Sequence, residues 1–405
     1  MTTATENPMA ATVPESALLV ETDRATLVHA LSTVGVGLAR RPTMPMLGGV
    51  LLEGHRATLT LTATDLETVA TVRVPNTVRT AGRVLIDHAE TTKLLGALVK
   101  GTRKRDADGA PVTVRTAEDG TAILGLGGYT MPVTTYAAEN FPALAPSPAV
   151  VAEVNRERFT SEARRVLVAT GTDDTLPMLT GMQMQITPGT LTLAGTDRYR
   201  LAVAELAATT PTEEHSLLVP ARVLSAALKH ITAERVRFGS ATDGTGQWVS
   251  LTSGDLTVIT RPLATQFPPY EHLFPEADTT VRADRDALTH ATARAAAALN
   301  AKKHTSQDPA QVALTVDPAG TVSLAPVLGA HPDGVTAPAH PAEVGGTRER
   351  LRVFFAASYL RDALNALHGD IVTLQLATPT RPVVFTGADG DHYRHLLMPV
   401  RPPKS

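Results

Sequence analysis

The clearest alternation of apolar and polar positions in the chain lies between Leu176 and Val203. From Met182 to Ile186 every second residue is apolar, which is typical of a half-buried strand. Pro188-Gly189 follows as a turn signal, and a second alternating run leads into Asp197-Arg198-Tyr199-Arg200. This stretch predicts two adjacent strands and then a turn that carries an aromatic side chain between two cations.

The same pattern occurs earlier in the chain. Pro45–Val50 parallels Pro177–Met182, and Leu59–Asp65 parallels Leu191–Asp197, with the same displacement along the chain for both pairs. A fainter copy at Val322–Leu324 follows the second one at almost the same displacement. Two matched blocks without relative slip indicate a duplicated domain, and the fainter copy makes three.

We therefore divide the chain into a tail over residues 1–17, which we expect to be disordered, and three repeated domains over residues 18–148, 149–276 and 277–405. Each domain holds two predicted helices among many short strands. One helix per strand would indicate a parallel sheet, so this ratio favours an α+β fold with two helices on one side of antiparallel sheets. The predicted helices cover about Arg24–Leu38, Asp87–Val99, Arg156–Ala169, Pro220–Ile231, Asp284–Leu299 and Ala356–Leu367.

One segment of the third domain breaks the strand pattern. Pro326–Gly346 is rich in Pro, Gly, Ala and His. Clusters of Pro and Gly are typical of loops, so the sequence predicts a mobile surface loop here.

Composition narrows the class of protein. The 405 residues include no cysteine, which excludes disulfides, thiolate metal sites and cysteine nucleophiles. No apolar run approaches the roughly 18 residues of a membrane span. The first residues lack the basic start of a signal peptide. We therefore expect a soluble cytoplasmic protein.

A net charge of −3 provides no overall basic field for nucleic acid, so any DNA contact must come from clustered cations. Cations lie off the apolar stripes of all six predicted helices, and from charge and helix face we single out Arg164, Arg165, Lys229 and Arg294. Ordinary solvated helix faces explain the cations of any single helix. If the six helices share one side, however, the cations form a basic lining that suits DNA.

The search for catalytic chemistry finds no known motif: GxGxxG, GxxxxGK[ST], HExxH and GxSxG are all absent from the sequence. Asp65 and Asp197 occupy matched strand ends, where an aspartate more often caps a turn than acts as a catalytic acid. Asp173-Asp174 are able to bind a cation, which leaves a metal-dependent hydrolase as an alternative. His392 and His395 are three residues apart on a predicted strand and so face opposite sides. We predict no catalytic residue, no metal site and no cofactor.

The motifs of the three domains, taken in order, resemble those of a known family. They are Arg41-Pro42-Thr43-Met44-Pro45-Met46-Leu47, Thr64-Asp65-Leu66-Glu67, Leu179-Thr180-Gly181, Thr196-Asp197-Arg198-Tyr199-Arg200-Leu201-Ala202, Phe267-Pro268-Pro269-Tyr270 and Met398-Pro399-Val400-Arg401. Each motif alone is a weak signal, but the ordered set spans residues 18–401 and is highly specific. The chain resembles the bacterial sliding clamps, the β subunits of DNA polymerase III.

This resemblance implies a head-to-tail homodimer of three-domain chains that closes as a ring around double-stranded DNA. The chain would be a DNA polymerase processivity factor without catalytic activity of its own. Its partners would be the DNA polymerase III catalytic subunit, the clamp loader, and other polymerases and repair proteins that carry clamp-binding motifs. A ring stays on DNA by topology, so weak phosphate contacts suffice. By matching position, Arg41 would be one such contact.

The family also implies a hydrophobic pocket between domains two and three that receives short peptides of these partners. Leu, Met, Pro and Val side chains suit an apolar peptide residue, and Arg200 or Arg401 would anchor the peptide backbone or carboxylate. The alternative interpretation of Leu396–Val400 is a buried last strand. Carried over position by position, the pocket lining is Leu179, Thr196, Arg198, Tyr199, Arg200, Leu201, Pro268, His272, Leu273, Tyr359, Pro382, Leu396, Leu397, Met398, Pro399, Val400 and Arg401.

Two positions of the expected pocket depart from the family pattern. His272 stands where the enterobacterial member carries Arg, and Ala356 where it carries Asn. They motivate one alternative function, a specialised second clamp copy with a remodelled pocket that confers resistance to a pocket-binding antibiotic. A protein-interaction scaffold that binds no DNA is the other alternative.

Overall fold

The computed structural model describes residues 17–39, 41–210, 213–302, 310–328, 335–389 and 391–401. The chain divides into two compact units. Unit 1 comprises Met1–Arg156 and Ala226–Arg261, and unit 2 comprises Glu157–Ser225 and Pro262–Ser405. Both units therefore contain residues of the second predicted domain.

Seven α-helices lie within the described residues, and six of them match the predicted ones. Asp23, Asp87 and Asp284 each cap the helix that follows, because the carboxylate accepts a backbone N–H of the first turn. The short third helix was missed, since five residues are too few to show a helical period. The helices are α1 Arg24–Val34, α2 His88–Ala97, α3 Lys104–Asp108, α4 Arg156–Leu167, α5 Ala221–Ala227, α6 Arg285–Ala301 and α7 Ala357–Ala366.

The strands are short and numerous, as predicted. They are β1 Leu19–Asp23, β2 Gly49–His55, β3 Thr58–Thr64, β4 Thr68–Val74, β5 Val78–Thr80, β6 Gly82–Asp87, β7 Pro111–Thr116, β8 Ala122–Leu126, β9 Tyr129–Val133, β10 Thr135–Tyr136, β11 Ala149–Asn155, β12 Gly181–Thr187, β13 Thr190–Thr196, β14 Arg200–Ala207, β15 His215–Pro220, β16 Arg235–Asp243, β17 Gly246–Ser253, β18 Leu256–Thr260, β19 Thr279–Asp284, β20 Gln311–Asp317, β21 Thr321–Pro326, β22 Ala339–Gly345, β23 Leu351–Ala356, β24 Ile371–Leu376, β25 Val383–Thr386 and β26 Tyr393–Leu397.

Every strand pairing among the described residues is antiparallel, which confirms the α+β class predicted from the helix-to-strand ratio. Unit 1 contains a five-stranded sheet in the order β5-β1-β7-β8-β9 and a nine-stranded sheet in the order β10-β6-β2-β3-β4-β18-β17-β16-β11. Unit 2 contains one sheet of twelve strands in the order β15-β12-β13-β14-β26-β25-β24-β19-β22-β21-β20-β23.

The repeat found in the sequence recurs as structure. The strands β2, β3 and β4 begin at Gly49, Thr58 and Thr68, and β12, β13 and β14 begin at the equivalent positions of the second repeat, Gly181, Thr190 and Arg200. The third copy places β20, β21 and β22 in the same sheet order. The apolar residues of the organising stretch, Met182, Met184 and Ile186, are all fully buried. The alternation of apolar and polar residues therefore correctly indicated a strand, β12, whose apolar side chains lie in the core.

The prediction for Pro326–Gly346 was wrong in part. Its last residues form β22, which pairs with β21 at Pro341 and with β19 at Val344. This strand was not predicted from the sequence because it contains Pro341, and proline is rare inside sheets. Residues 329–334 of the predicted loop lie outside the described residues, as do residues 1–16 of the predicted tail.

None of the described helices is both long and apolar enough to cross a membrane.

Candidate functional site

The turn between β13 and β14 is the centre of the candidate site, and it is built by side chains that bind their own backbone. The Oδ1 atom of Asp197 accepts the N–H groups of Tyr199 and Arg200, each at 3.0 Å. Arg198 adopts a φ of 81°, a left-handed conformation that is uncommon for residues other than glycine. The turn therefore projects Arg198 and Tyr199 outward, and both are exposed.

The same turn occurs between β3 and β4. The Oδ1 atom of Asp65 accepts the N–H groups of Glu67 and Thr68, and Leu66 has a φ of 79°. The interpretation of Asp65 and Asp197 as turn residues is therefore supported by matching hydrogen bonds in both repeats. In both repeats the carboxylate is hydrogen-bonded to the backbone of its own turn.

The end of the chain runs beside the turn of unit 2. Strand β26 pairs with β14, and the N–H of Met398 then donates to the carbonyl of Tyr199 at 2.8 Å. Two residues on, the N–H of Val400 donates to the carbonyl of Phe354 at 2.8 Å. These two bonds fix the terminal segment between β14 and β23.

The exposed apolar groups of the predicted pocket are Tyr199, Leu273 and Met398, with exposed fractions of 51%, 40% and 38%. The ring of Tyr359 lies 6.2 Å from that of Tyr199, centroid to centroid. Burial raises the pKa of the Tyr359 hydroxyl, and the nearby Asp197 carboxylate adds to this effect. The phenol is protonated at neutral pH without this shift, and its hydrogen bond is directed to the Asp197 carboxylate. We call the surface of Tyr199, Leu273, Tyr359 and Met398 the unit 2 site.

Arg200 does not have the free guanidinium that the anchoring prediction requires. Its Nε pairs with Asp197 and its Nη1 with Asp362, both at 2.9 Å, and its side chain is 11% exposed. The guanidinium carbon also lies 4.3 Å from the centroid of the Tyr359 ring. Arg200 therefore holds the turn against α7. Among the predicted anchors, Arg401 is exposed.

Asp362 was missed by the sequence analysis. It lies three residues after Tyr359 on α7, and residues at this spacing share a helix face. That spacing was the available signal, but the partner Arg200 is 162 residues away and no local pattern connects the two.

Several predicted lining residues belong to the core instead. Leu201 and Leu396 pair across β14 and β26 and pack in one buried cluster, and Leu397 is fully buried. The interpretation of the last strand as buried is therefore correct for Leu396 and Leu397. Consecutive strand residues point to opposite faces, so the burial of both means that both faces of β26 are covered here. Leu179 is buried as well, at 6% exposure.

The remaining residues of the predicted lining differ in exposure. Thr196 is half-buried, and its hydroxyl donates to the carbonyl of Arg200. His272 is exposed. The other half-buried members are Pro268, Pro382, Pro399 and Val400.

Ala356 does not lie on the surface of the site, contrary to the expectation. It is 4% exposed and occupies the N-cap of α7, where it provides no side-chain hydrogen bond. Ala356 therefore influences the start of α7, the helix that carries Tyr359. Of the two positions that differ from the family pattern, only the exposed His272 is accessible to a ligand.

The four candidate DNA contacts Arg41, Arg164, Lys229 and Arg294 are exposed. Within the described part of the chain none of them pairs with a carboxylate. Arg165, the fifth candidate, was predicted wrongly. Its side chain is 6% exposed and binds Glu162 and Asp391 inside unit 2. From the sequence, both arginines were placed off the apolar stripe of α4. Adjacent helix residues lie about 100° apart around the axis, however, and only Arg165 faces the buried Glu162.

One group of side chains in the described residues has the composition of a metal site: Glu162, His368 and Asp391 bring ligand atoms within 4.8 Å of one another. The Arg165 guanidinium binds both of these carboxylates, so it already supplies the positive charge there. Asp173, another acid of the hydrolase alternative, accepts the N–H and hydroxyl of Thr175 in a turn. His392 is exposed and His395 fully buried, so that pair shares no site.

Comparison with known proteins places the whole chain. Three family models match in order: the N-terminal domain of the DNA polymerase III beta subunit at residues 18–145, the central domain at 153–269 and the C-terminal domain at 271–401. The beta sliding clamp of Streptomyces coelicolor is 29% identical over 94% of this chain and 99% of its own. The DNA polymerase III subunit beta of Pseudomonas aeruginosa superposes with a TM-score of 0.80 at 23% identity, over 95% of this chain and 100% of its own.

A beta sliding clamp homolog named GriR, from Streptomyces muensis, is 27% identical over 94% of this chain and 98% of its own. That identity is no higher than the identity to the Streptomyces coelicolor clamp, so it does not favour a specialised second copy. The three domain matches cover the chain from residue 18 to residue 401 with two short gaps. The chain belongs to the family of DNA polymerase III beta subunits, the beta sliding clamps.

Proposed function

We propose that two copies of this chain close head to tail around duplex DNA and act as the processivity clamp of a replicative polymerase. The observation that carries this proposal is the succession, in family order, of three clamp domains. The strand order supports it. Within unit 1, β4 of the first repeat pairs with β18, and within unit 2, β14 of the second repeat pairs with β26.

The strand order also supports pairing with a second copy of the chain. Strand β9 holds the position in the first repeat that β18 and β26 hold in the second and third. No earlier repeat supplies its partner, and β9 is an edge strand whose Tyr129 is 59% exposed. In the third repeat β22, the counterpart of β4, pairs with β21 and with β19. We infer that the third repeat of a second chain lies against the edge at β9, and two such head-to-tail contacts close a ring.

The exposed cations that lie on helices or follow them in the chain support the contact with DNA. Arg164 lies on α4 and Arg294 on α6, while Lys229 follows α5 and Arg41 follows α1. A chain with a net charge of −3 holds DNA weakly through a few such contacts, which permits sliding inside a closed ring.

We assign the unit 2 site to short peptides of the partner proteins. These are the DNA polymerase III catalytic subunit, the clamp loader, and other polymerases and repair proteins with clamp-binding motifs. Tyr199, Leu273 and Met398 offer exposed apolar area, and Arg401 offers a charge for a carboxylate. The chain contributes no catalytic group of its own in this proposal, since Asp65, Asp173 and Asp197 are hydrogen-bonded within turns.

The test is retention on nicked circular DNA in the presence of the clamp loader, followed by linearisation of the DNA. A topological ring remains on the circle and is lost from free ends. Loss from the circle and from the linear molecule at the same rate would refute the ring. In a second arm, Arg164, Lys229 and Arg294 are changed together to Gln, and faster loss from linear DNA is expected. The matched control is Arg237→Gln, which removes an exposed arginine that pairs with Glu153 on a strand.

A further inference from the structure

The sheet register places a counterpart of the unit 2 site inside unit 1. Strand β4 pairs with β18 so that Thr68 faces Thr260. Strand β14 pairs with β26 so that Arg200 faces Leu397. Thr68 and Arg200 are themselves equivalent positions of the first and second repeats, since each begins the matching strand. The β4–β18 pair and the β14–β26 pair therefore have the same register.

The hydrogen bonds beyond the paired strands match as well. The N–H of Arg261 donates to the carbonyl of Glu67 at 3.0 Å, as the N–H of Met398 donates to the carbonyl of Tyr199 at 2.8 Å. Arg261 therefore occupies in unit 1 the position that exposed Met398 occupies in unit 2. The chain therefore continues in the same way after β18 in unit 1 and after β26 in unit 2.

A cavity of about 260 Å³ lies at this position in unit 1. Its lining includes Leu66, Leu144, Val69, Trp248 and Arg261. Cavities for drug-sized molecules measure roughly 300–1,000 Å³, so this one suits a single apolar side chain with its neighbours. We call it the unit 1 groove.

The groove has a buried floor and an exposed apolar rim. Trp248 is 5% exposed and packs with Val69 and Ile259, whereas Leu66 and Leu144 are 45% and 48% exposed. Val69 and Ile259 hold the register positions of Leu201 and Leu396 in unit 2. Exposed leucines beside a buried aromatic floor gain contact area when an apolar side chain enters.

The positive charge of Arg261 at the rim indicates the charge of a ligand that would bind in the groove. The Arg261 guanidinium lies 4.1 Å from the Trp248 ring, donates from Nη1 to the carbonyl of Thr245 and pairs through Nε with Glu67 at 3.3 Å. Within the described residues its other N–H groups have no acceptor. The Glu67 side chain is 60% exposed, so this ion pair is weak and an incoming carboxylate can replace it.

The acidic residue of the lining, Asp243, does not compete for that guanidinium. Its carboxylate accepts the N–H and the hydroxyl of Thr245, and these hydrogen bonds lower the pKa of Asp243. It is therefore held in its own turn, and the free donors of Arg261 point to an acidic ligand.

We infer that the unit 1 groove is a second docking site, which takes a short peptide segment of a partner protein with a carboxylate beside an apolar side chain. The inference rests on the proposed function only for the source of such segments, the proteins that work with the clamp. It gives each chain two peptide sites, one in each unit, of unequal chemistry: unit 1 offers a cation where unit 2 offers Met398.

Trp248 is the only tryptophan of the chain, so its fluorescence reports on this groove and not on the unit 2 site. The probe is the peptide acetyl-Asp-Leu-Phe-amide, titrated into the full-length protein. A saturable change in Trp248 emission is expected, with a Kd on the order of 1 mM or tighter. The charge-reversed control, acetyl-Lys-Leu-Phe-amide, is expected to bind at least about tenfold more weakly, because it brings a second cation to Arg261.

Two variants localise the effect. Arg261→Gln is expected to remove the preference for the acidic peptide, and Leu66→Asn to weaken both peptides while keeping a residue that tolerates a positive φ. The matched control is Arg198→Asn, the same change at the equivalent turn of unit 2, which should leave the Trp248 titration unchanged.

Three results would overturn the inference: no saturable change in emission, an equal response to both peptides, or an unaltered response in both groove variants. A change in Trp248 emission on deletion of residues 1–16 would assign the groove to the chain's own N-terminal segment and overturn it as well. The fluorescence titration requires neither DNA nor a clamp loader. Failure of the groove and failure of ring retention are therefore observed separately.

Discussion

Replacing Arg165 with methionine should strongly destabilise unit 2. Arg165 donates from Nη1 to Glu162 at 2.7 Å and from both Nη atoms to the carboxylate of Asp391. Its Nε donates to the carbonyl of Ala366, and its guanidinium carbon lies 3.9 Å from the centroid of the Tyr393 ring. One side chain therefore ties α4 to the end of α7 and to the start of β26.

The magnitude follows from burial. Glu162 and Asp391 are 2% and 9% exposed, so removal of the cation leaves two neighbouring carboxylates with little water. Breaking a buried ion pair by removing one partner costs about 3–5 kcal/mol. For a unit of roughly 200 residues this corresponds to a fall in Tm of about 6–20 °C, at ~2–4 °C per kcal/mol.

The assay is thermal unfolding at pH 7, followed by far-UV circular dichroism. Arg164→Met is the matched control, since Arg164 is the adjacent residue of α4 and is exposed. The control should change the free energy of unfolding by no more than about 0.5 kcal/mol. In the double variant Arg165→Met with Asp391→Leu, part of the loss should be recovered, because one of the unpaired carboxylates is gone.

The reasoning fails if Arg165→Met lowers the Tm no more than Arg164→Met does. It also fails if the double variant is less stable than Arg165→Met by the full cost of a second independent substitution, since that would mean that Arg165 and Asp391 do not interact.

Three further predictions concern pH, DNA and the unit 2 site. Burial lowers the pKa of His395 to about 3, below its unfolded value of about 6.5. Between these values only the unfolded chain takes up the proton, so the free energy of unfolding decreases as the pH is lowered through that window. In urea unfolding from pH 7 to pH 4, the stability of the wild type relative to His395→Phe should therefore decrease by up to about 1.4 kcal/mol per pH unit, and a difference that stays constant with pH would contradict this. Arg294→Gln should reduce the slope of log K against log salt for duplex DNA by about 1, measured by fluorescence anisotropy, and an unchanged slope would remove Arg294 from the DNA contacts. Met398→Asp should weaken clamp-dependent DNA synthesis by the polymerase at least about tenfold with little change in Tm, because the Met398 side chain is 38% exposed; equal synthesis would exclude Met398 from the site.

The sequence could predict what depends on short-range periodicity. The apolar stripe of α1 at Leu27, Leu31 and Val34 is buried, and so is that of α4 at Phe159 and Ala163. These stripes are set by the 3.6-residue period of the helix, which is visible within one turn or two. The antiparallel class followed from counting helices against strands, and that prediction is confirmed.

The candidate site was predictable only in part, because its members contact each other over long sequence separations. Arg165 lies next to Arg164 in the chain, yet Asp391, 226 residues away, determines that it is buried. Arg200 reads as an exposed cation until Asp362 is placed beside it. From the sequence, Leu396 was predicted to line the pocket. In the fold it pairs with Leu201 and belongs to a buried cluster.

The sequence by itself determined the threefold repeat, every helix of the described residues except α3, the turns at Asp65 and Asp197 and the family to which the chain belongs. All of these are local patterns or copies of local patterns. Only the tertiary structure decided which cations remain exposed, which leucines form the core, and that β4 meets β18 as β14 meets β26. The physical reason is that burial and ion pairing depend on whatever the fold brings within a few ångströms, whereas periodicity depends on neighbours along the chain.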